Sequence, residues 1–536
     1  MMRVVFLVTS LVSLGLILAL AFNYPWVWWF MLLVGPYVLI GIHDMVQRDH
    51  SLLRNYPVIG HGRYVMELVR PEIQQYFVES NLDGRPFSRN ERSIVYQRAK
   101  GVIDTMPFGT QFDTYVHGYE WMNHSLDPAT PLPEEPRVMV GEGRCSKPYA
   151  CSRFNISALS YGSLSLRAIQ ALNKGAAEGG FCHNTGEGGI SPHHLSHGGD
   201  LIWQVGTGYF GCRSADGGFD AEKFKENASR ESVKMIEIKL SQGAKPAHGG
   251  LLPAKKVTQE IADIRGVPKG ERVVSPSTHS EFSNPLEMLE FIEHLRELSG
   301  GKPVGIKICI GQPEEFVAVV KAMRETGKVP DFITIDGSEG GTGAAPFEFS
   351  NSIGMPLRDA IAFANNVLMG AGVRDQLKIF ASGKIITGFH MFRVMALGAD
   401  VCLCARGMMF ALGCIQARRC NHNDCPVGVA TTDPKLDKAI NVGDKGQRVA
   451  NYHAKTVHSF LEILAAAGLT APEQIRPEHI FRRVDETRCL RYSELYEWIA
   501  RGALAAGSGP QTWQAMWDYA KTDRFCHPPE VVGSVH

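Results

Sequence analysis

The sequence predicts an α/β protein: a (β/α)8 barrel preceded by an N-terminal transmembrane helical hairpin and followed by a helical C-terminal cap. Three observations carry this. From residue 154 onward, eight short apolar runs alternate with helical segments, the pattern of parallel strands buried on both faces and joined by crossover helices. Two long uncharged stretches open the chain, and beyond residue 436 helical periodicity returns.

In chain order, residues 1–45 are expected to form the hairpin. Residues 4–22, "VVFLVTSLVSLGLILALAF", and 26–42, "WVWWFMLLVGPYVLIGI", carry no acidic or basic charge. As a helix each is near the length that crosses a hydrocarbon core of about 30 Å. A cleaved signal peptide is the rival for the first run, but a second apolar run follows at once. Arg3 precedes the first run and Arg48 and Arg54 follow the second. Positive-inside bias then puts both flanks in the cytoplasm, giving a multi-pass protein of the cell membrane with its main body on the cytoplasmic side.

Residues 46–150, rich in Arg, Pro and aromatics, read as a connector packed on the barrel, with helical spacing in "SLLRNYPVIGHGRYVMELVRPEIQQYF". The barrel is expected over 151–436, its strands in "FNISAL", "GFCHNT", "LIWQVG", "KMIEIKL", "PVGIKIC", "DFITID", "KIFASG" and "DVCLCARG". An open doubly wound sheet is the rival, which would carry a glycine fingerprint after its first strand. "GTGYFG" at Gly206–Gly211 has that spacing, but "CRSADGGFD" after it opens no apolar-periodic helix, so it reads as a barrel loop. Residues 437–536, with "AKTVHSFLEILAAAGL" and "YSELYEWIARGALAAG", read as the helical cap.

Lys plus Arg and Asp plus Glu both total 55, which leaves no electrostatic footprint for nucleic acid. Twelve dispersed cysteines in a chain of 536 residues are not a secreted disulfide framework, and a reducing compartment is expected.

Glycines cluster at strand ends: Gly340, Gly341 and Gly343 around Thr342, Gly383 beside Ser382, and Gly407 beside Arg406. Such loops let backbone N–H groups converge on phosphate oxygens, and in a barrel the loops after the last two strands are the usual phosphate site. Lys307 is a cation inside the apolar strand "PVGIKIC"; it is either salt-bridged or an active-site charge, and an unpaired buried ammonium is expensive. "CIQARRCNHNDCPVGVA" crowds Cys414, Cys420 and Cys425 together. Three thiolates suit an iron–sulfur cluster with one unfilled cubane corner, and a zinc site completed by His422 is the alternative. Cys402 and Cys404 alternate along a strand and read as core. His183, His193, His194 and His197 show no paired ligand spacing and are assigned no metal.

"EIKLSQGAKPAHGGLLPAKKV", "IDGSEGGTGAAP" and "RRCNHNDCPVGVATTDPKL", with "FNISALSYGSLS" and "NTGEGG" before them, resemble the FMN-binding synthase domain of glutamate synthase over roughly residues 150–470. "SLLRNYP" and "GRPFSRNERSIVYQRAK" resemble the stand-alone FMN-binding glutamate synthase family. The resemblance implies an FMN in the barrel mouth and a [3Fe–4S] cluster on Cys414, Cys420 and Cys425. It implies catalytic roles for Lys307, Glu187 and Gln204. Cofactor contacts are implied for Ser157, Ala158, Leu159, Thr185, Gln242, Lys245, Lys307, Gly340, Gly341, Thr342, Ser382, Gly383, Arg406 and Gly407. The implied reaction is reductive amination of 2-oxoglutarate through 2-iminoglutarate to L-glutamate, electrons passing from cluster to flavin to substrate. A relative using another amine, as in N-methylglutamate synthase, and a membrane-tethered electron-transfer subunit are the alternatives. The chain opens Met-Met-Arg, its first cysteine is Cys145, and no NADPH-binding βαβ unit is evident. Ammonia and electrons are therefore expected from outside, from free ammonia or a separate glutaminase and from ferredoxin or a reductase.

Overall fold

The computed structural model describes residues 2–525 and divides into two compact units at Asn90/Glu91. The division falls inside the stretch 46–150 that the sequence presents as one connector.

The first unit opens with helix Met2–Ala21. A 3-10 turn over Pro25–Phe30, with proline at its first position, leads into helix Met31–Val46. The second apolar run thus starts as a tighter turn, since proline is preorganised for a helix start. Both Met2–Ala21 and Pro25–Val46 are long and apolar enough to cross a membrane, and only 22% and 11% of their apolar windows are buried. Thr9 Oγ1 and Tyr37 Oη are hydrogen-bonded at 2.8 Å between the two helices. Arg3 Nε donates to the carbonyl of Arg54, so the two ends of the hairpin meet. Helices Ser51–Asn55 and His61–Ile73 follow, the latter running into a wider turn over Gln74–Val78.

The second unit is built on a closed barrel of eight parallel strands: β1 Phe154–Ile156, β2 His183–Asn184, β3 Leu201–Val205, β4 Val233–Lys239, β5 Val304–Ile308, β6 Phe332–Asp336, β7 Lys378–Ser382 and β8 Val401–Cys404. Each strand pairs with its sequence neighbours, and β8 closes on β1 through Cys402↔Phe154 and Cys404↔Ile156. All eight lie in the expected runs. The loop Gly206–Gly211 leads to no helix before Ala221–Ala228, in keeping with a barrel loop.

The antiparallel pair Val138–Val140 and Tyr149–Cys151 packs Val138, Val140 and Cys151 against Cys182, Phe332 and Val401. These last lie just before or at the starts of β2, β6 and β8, so the pair plugs the N-terminal end of the barrel. The mouth at the strand C-terminal ends is left for chemistry.

Helix Val442–Ala466 packs along helix Leu166–Gly179. The rest of the expected cap is not helical throughout. Ile480–Arg483 and Cys489–Arg491 form an antiparallel sheet with Glu120–Met122, and helix is confined to Tyr492–Leu495 in the segment "YSELYEWIARGALAAG". The physical reason is tertiary competition for the backbone: Asn366 accepts from Ile499 N–H at 3.0 Å and donates to the Glu497 carbonyl at 2.7 Å. These bonds take groups that a helix would pair internally.

Candidate functional site

Alternation along the strands decides what faces the barrel interior. Glu237 on β4 is fully buried. Its Oε2 accepts from Asn184 Nδ2 at 2.8 Å and Gln204 Nε2 at 2.5 Å, and its Oε1 accepts from Thr334 Oγ1 at 2.6 Å. One interior layer is therefore a polar network with its carboxylate satisfied on both oxygens, the arrangement that makes a buried charge tolerable. Gln204, expected at the reaction centre, belongs to this layer: it is 1% exposed and spends its side chain on Glu237.

Two residues beyond Glu237, on the same face, Lys239 ends β4. Its Nζ lies 2.8 Å from Glu187 Oε2 and also donates to Gln242 Oε1. Its neighbour in register on β5 is Lys307, buried to 5% exposure, with Nζ 3.5 Å from Oδ2 of Asp336 at the end of β6. Asp336 Oδ2 also accepts from Gly243 N–H at 2.9 Å. The structure thus brings Lys307, Glu187 and Gln242 to one mouth, with Lys245 nearby.

Burial works to raise the Glu187 pKa, but the charges of Lys239 and Lys245, with help from Arg265, overcome it and bring the carboxyl to about 2. Burial pushes Lys245 the other way, to about 8, against the pull of Glu187 and with the repulsion of Lys239. The buried ammonium groups supply the positive charge an anionic substrate needs, and the ionised carboxylate among them fixes the position of the Lys239 ammonium.

On the far side of the mouth, Ser157 after β1 and Ser382 at the end of β7 place their hydroxyls 3.3 Å apart. Leu159 N–H donates to the Asn184 carbonyl at 3.2 Å, fixing the half-buried Ala158–Leu159 turn. Thr185 Oγ1 accepts from Gln204 N–H at 3.1 Å. Gly383 follows Ser382 with φ +151, a backbone conformation that side chains resist. Arg406 Nη2 donates to the Glu339 carbonyl at 2.6 Å, tying the glycine loop after β6 to the end of β8. Gly340 and Gly341 lie in that loop, whereas Thr342 is exposed and turns its hydroxyl to the Ala344 carbonyl. Gly407 is buried, and Cys404 and Tyr452 leave no room for a Cβ there. The loops flanking Ser382, with Arg406 behind them, have the chemistry to hold a phosphate.

Cys414, Cys420 and Cys425 share the loop after helix Arg406–Leu412. Burial raises the Cys414 thiol to about 12, eased by the Gln416 N–H and added to by the other two cysteines. Cys420 is raised by burial and by Cys425. Lys256, 2% exposed, donates to the carbonyls of Ser163 and Ala430, both at 3.0 Å, and its charge bears on Cys420 and Cys425. Among the described residues, no three His, Cys, Asp or Glu side chains converge on a single metal position. His193 is taken by Glu260 at 2.8 Å, and His194 by Ser191.

Lys239, Asp336, Glu237 and Lys256 were not singled out from the sequence. The first and third carried a usable signal: in "KMIEIKL" Glu237 and Lys239 are two apart, so a strand puts both charges on one face, where they must find partners.

The family model for the conserved region in glutamate synthase matches residues 126–470. The glutamate synthase large subunit-like protein YerD of Bacillus subtilis is 42% identical over 497 residues, covering 85% of this chain and 94% of its own length. The archaeal glutamate synthase [NADPH] of Methanocaldococcus jannaschii is 36% identical over 322 residues, 60% of each chain. The glutamate synthase [NADPH] large chain of Bacillus subtilis is 33% identical over 324 residues, 59% of this chain and 20% of that one. The match thus spans nearly the whole of the first relative, but only 60% of the second and 20% of the third.

Proposed function

The chain belongs to the glutamate synthase family, a family of oxidoreductases acting on CH–NH2 groups, and from that premise we propose that it reductively aminates 2-oxoglutarate to L-glutamate in the barrel mouth. The observation that carries this is the set of three buried lysines among two carboxylates there: Lys239 against Glu187, Lys245 beside them, and Lys307 against Asp336. Lys239 and Lys245 provide the charge to bind a dicarboxylate. Glu187, ionised and paired with Lys239, holds that ammonium in place at the mouth.

The residues also fit an FMN. Ser157, Ser382, the Gly383 backbone at positive φ and Arg406 form a polar rim at the last strands that would hold its phosphate, and Lys307 would supply positive charge to the bound flavin. When bound, the flavin supplies the hydride that converts 2-iminoglutarate to the amino acid. Lys307 and Lys245 stabilise negative charge where it develops, and the Glu237 network keeps the floor of the site rigid.

We further propose that Cys414, Cys420 and Cys425 hold a [3Fe–4S] cluster, which supplies electron transfer. Lack of convergence on one point does not count against it, since each thiolate of such a cluster binds a different iron. The donor set supports the reading: three thiols share one loop, Cys425 buried and Cys414 and Cys420 partly so. The exposed apolar helices Met2–Ala21 and Pro25–Val46 support a membrane hairpin with the barrel on the cytoplasmic side, where ferredoxin or a reductase delivers electrons and ammonia arrives free or from a glutaminase.

The test is anaerobic purification of the full chain followed by reduction and mixing with 2-oxoglutarate and ammonium. Re-oxidation of the flavin with formation of L-glutamate is expected. Re-oxidation only with methylamine would assign an N-alkylglutamate product instead, and no re-oxidation with any amine would reduce the protein to an electron relay. Iron and acid-labile sulfide should be present and lost in Cys420→Ser; stoichiometric zinc without sulfide would remove the cluster.

A further inference from the structure

Helix His61–Ile73 contains no buried residue. Arg63, Glu67 and Arg70 form a polar stripe along it, with Glu67 3.8 Å from each arginine. Tyr64, Val65, Leu68 and Ile73 occupy the other side at helical spacing and are all exposed, Leu68 to 73%, and Phe77 in the following turn is exposed to 85%. An amphipathic helix with this much bare apolar surface needs a cover, because each Å² left in water forgoes about 25 cal/mol.

The position of the helix says what that cover is. Asp44, in the last turn of helix Met31–Val46, is fully buried. It accepts from Val58 N–H at 2.8 Å and pairs with His61 Nε2 at 2.9 Å. The first residue of the amphipathic helix is therefore bonded to the end of the second apolar helix, the level at which a span leaves the lipid. Its arginines offset its two glutamates, so apolar burial, not headgroup charge, must drive the contact.

We infer that helix His61–Ile73 lies along the cytoplasmic surface of the bilayer, with Leu68 and its neighbours seated in the acyl-chain boundary and Arg63 and Arg70 in the headgroups. This is a third membrane contact, and it rests on the hairpin reading. Glu72 is the one charged residue on the side of Leu68 and Val65, in the last turn of the helix before it runs into Gln74–Val78.

The test uses the full chain reconstituted in phosphatidylcholine–phosphatidylglycerol vesicles, with one fluorescent amino acid incorporated in place of Leu68, Arg70 or Leu11. Interfacial helices seat their apolar face about 5–10 Å into the boundary, so lipids brominated near the carbonyl end should quench position 68 and leave position 70 bright. Lipids brominated mid-chain should quench position 11, in the first apolar helix. Quenching at 11 but not at 68 overturns the inference and leaves the hairpin standing. Equal quenching at 68 and 70 overturns the proposed orientation. No quenching at any of the three removes the hairpin and this inference with it.

Discussion

Lys307 and Lys245 both put positive charge at the mouth, yet they should respond differently to substitution and pH. Lys307→Met keeps the length of the side chain and removes its charge, so it should lower the flavin midpoint potential by ~30 mV, equivalent to about 1.4 kcal/mol for a two-electron couple. Spectroelectrochemical titration checks this, and an unchanged potential would leave Lys307 as a partner for Asp336 only. Lys245 titrates at about 8, so it is charged below that pH and loses its charge as pH rises through it. The KM for 2-oxoglutarate should therefore climb above pH ~8. Lys245→Arg should abolish that limb, and Glu187→Gln should move it to lower pH because the carboxylate is what holds the lysine's proton. For stability the sign is opposite: between pH 8 and the ordinary lysine value of 10.5 the unfolded chain binds the proton that the fold rejects, so stability rises with pH across that window. Glu187, lowered to about 2 from 4.5, contributes stability above the ordinary carboxylate range that is lost as pH falls through that interval. Lys307 was legible because a cation in an apolar run is conspicuous. Lys239 was harder to read: its spacing from Glu237 puts two charges on one strand face, but that they face the barrel interior follows only from the register beside Lys307.

At the scale of elements, the barrel strands were readable because each is a short apolar run bounded by turn residues, and burial on both faces requires that pattern. The C-terminal segment was misread because its helical spacing was local, whereas Asn366 and the strand Glu120–Met122 lie far off in the chain and offer the backbone other partners. Two loops should be intolerant of a single methyl group. A Cβ at position 243 would stand 1.7 Å from the Gly337 carbonyl oxygen, where the loops after β4 and β6 cross. Gly243→Ala should destabilise the protein by about 1–3 kcal/mol, the usual cost of forced overpacking, measured by urea unfolding. Gly383→Ala meets the Leu357 side chain at 3.2 Å and Glu339 at 3.6 Å, milder contacts, but it must adopt φ +151, strain of about 1–3 kcal/mol. The unfolding midpoint should therefore fall much as in Gly243→Ala, and if that backbone borders the phosphate, FMN content should fall as well; a full complement of FMN would move the phosphate site elsewhere.

For the whole molecule, composition hid the division at Asn90/Glu91, because residues 46–150 look alike throughout. What separates them is which apolar faces are buried: Val138 and Val140 close the barrel's end, while Leu68 and Phe77 stay largely exposed. The hairpin makes the same point. Its side chains are apolar all round and mostly bare, which in water would forfeit the burial that holds a soluble helix pair together. The full chain should stay with membranes through alkaline carbonate, and release into the supernatant would end the hairpin reading. Topology supplies the sharper test. The contact of Arg3 with the Arg54 carbonyl puts the chain's start and the exit of the second helix on one side, and Phe22–Tyr24, between the helices, on the other. An epitope inserted after Asn23 should therefore be labelled on intact cells from outside, while one at the N-terminus should be reached only after permeabilisation. Labelling of both from outside would mean that the arginines do not set the orientation and that the barrel lies away from cytoplasmic reductant, which would force a different electron source on the same active site.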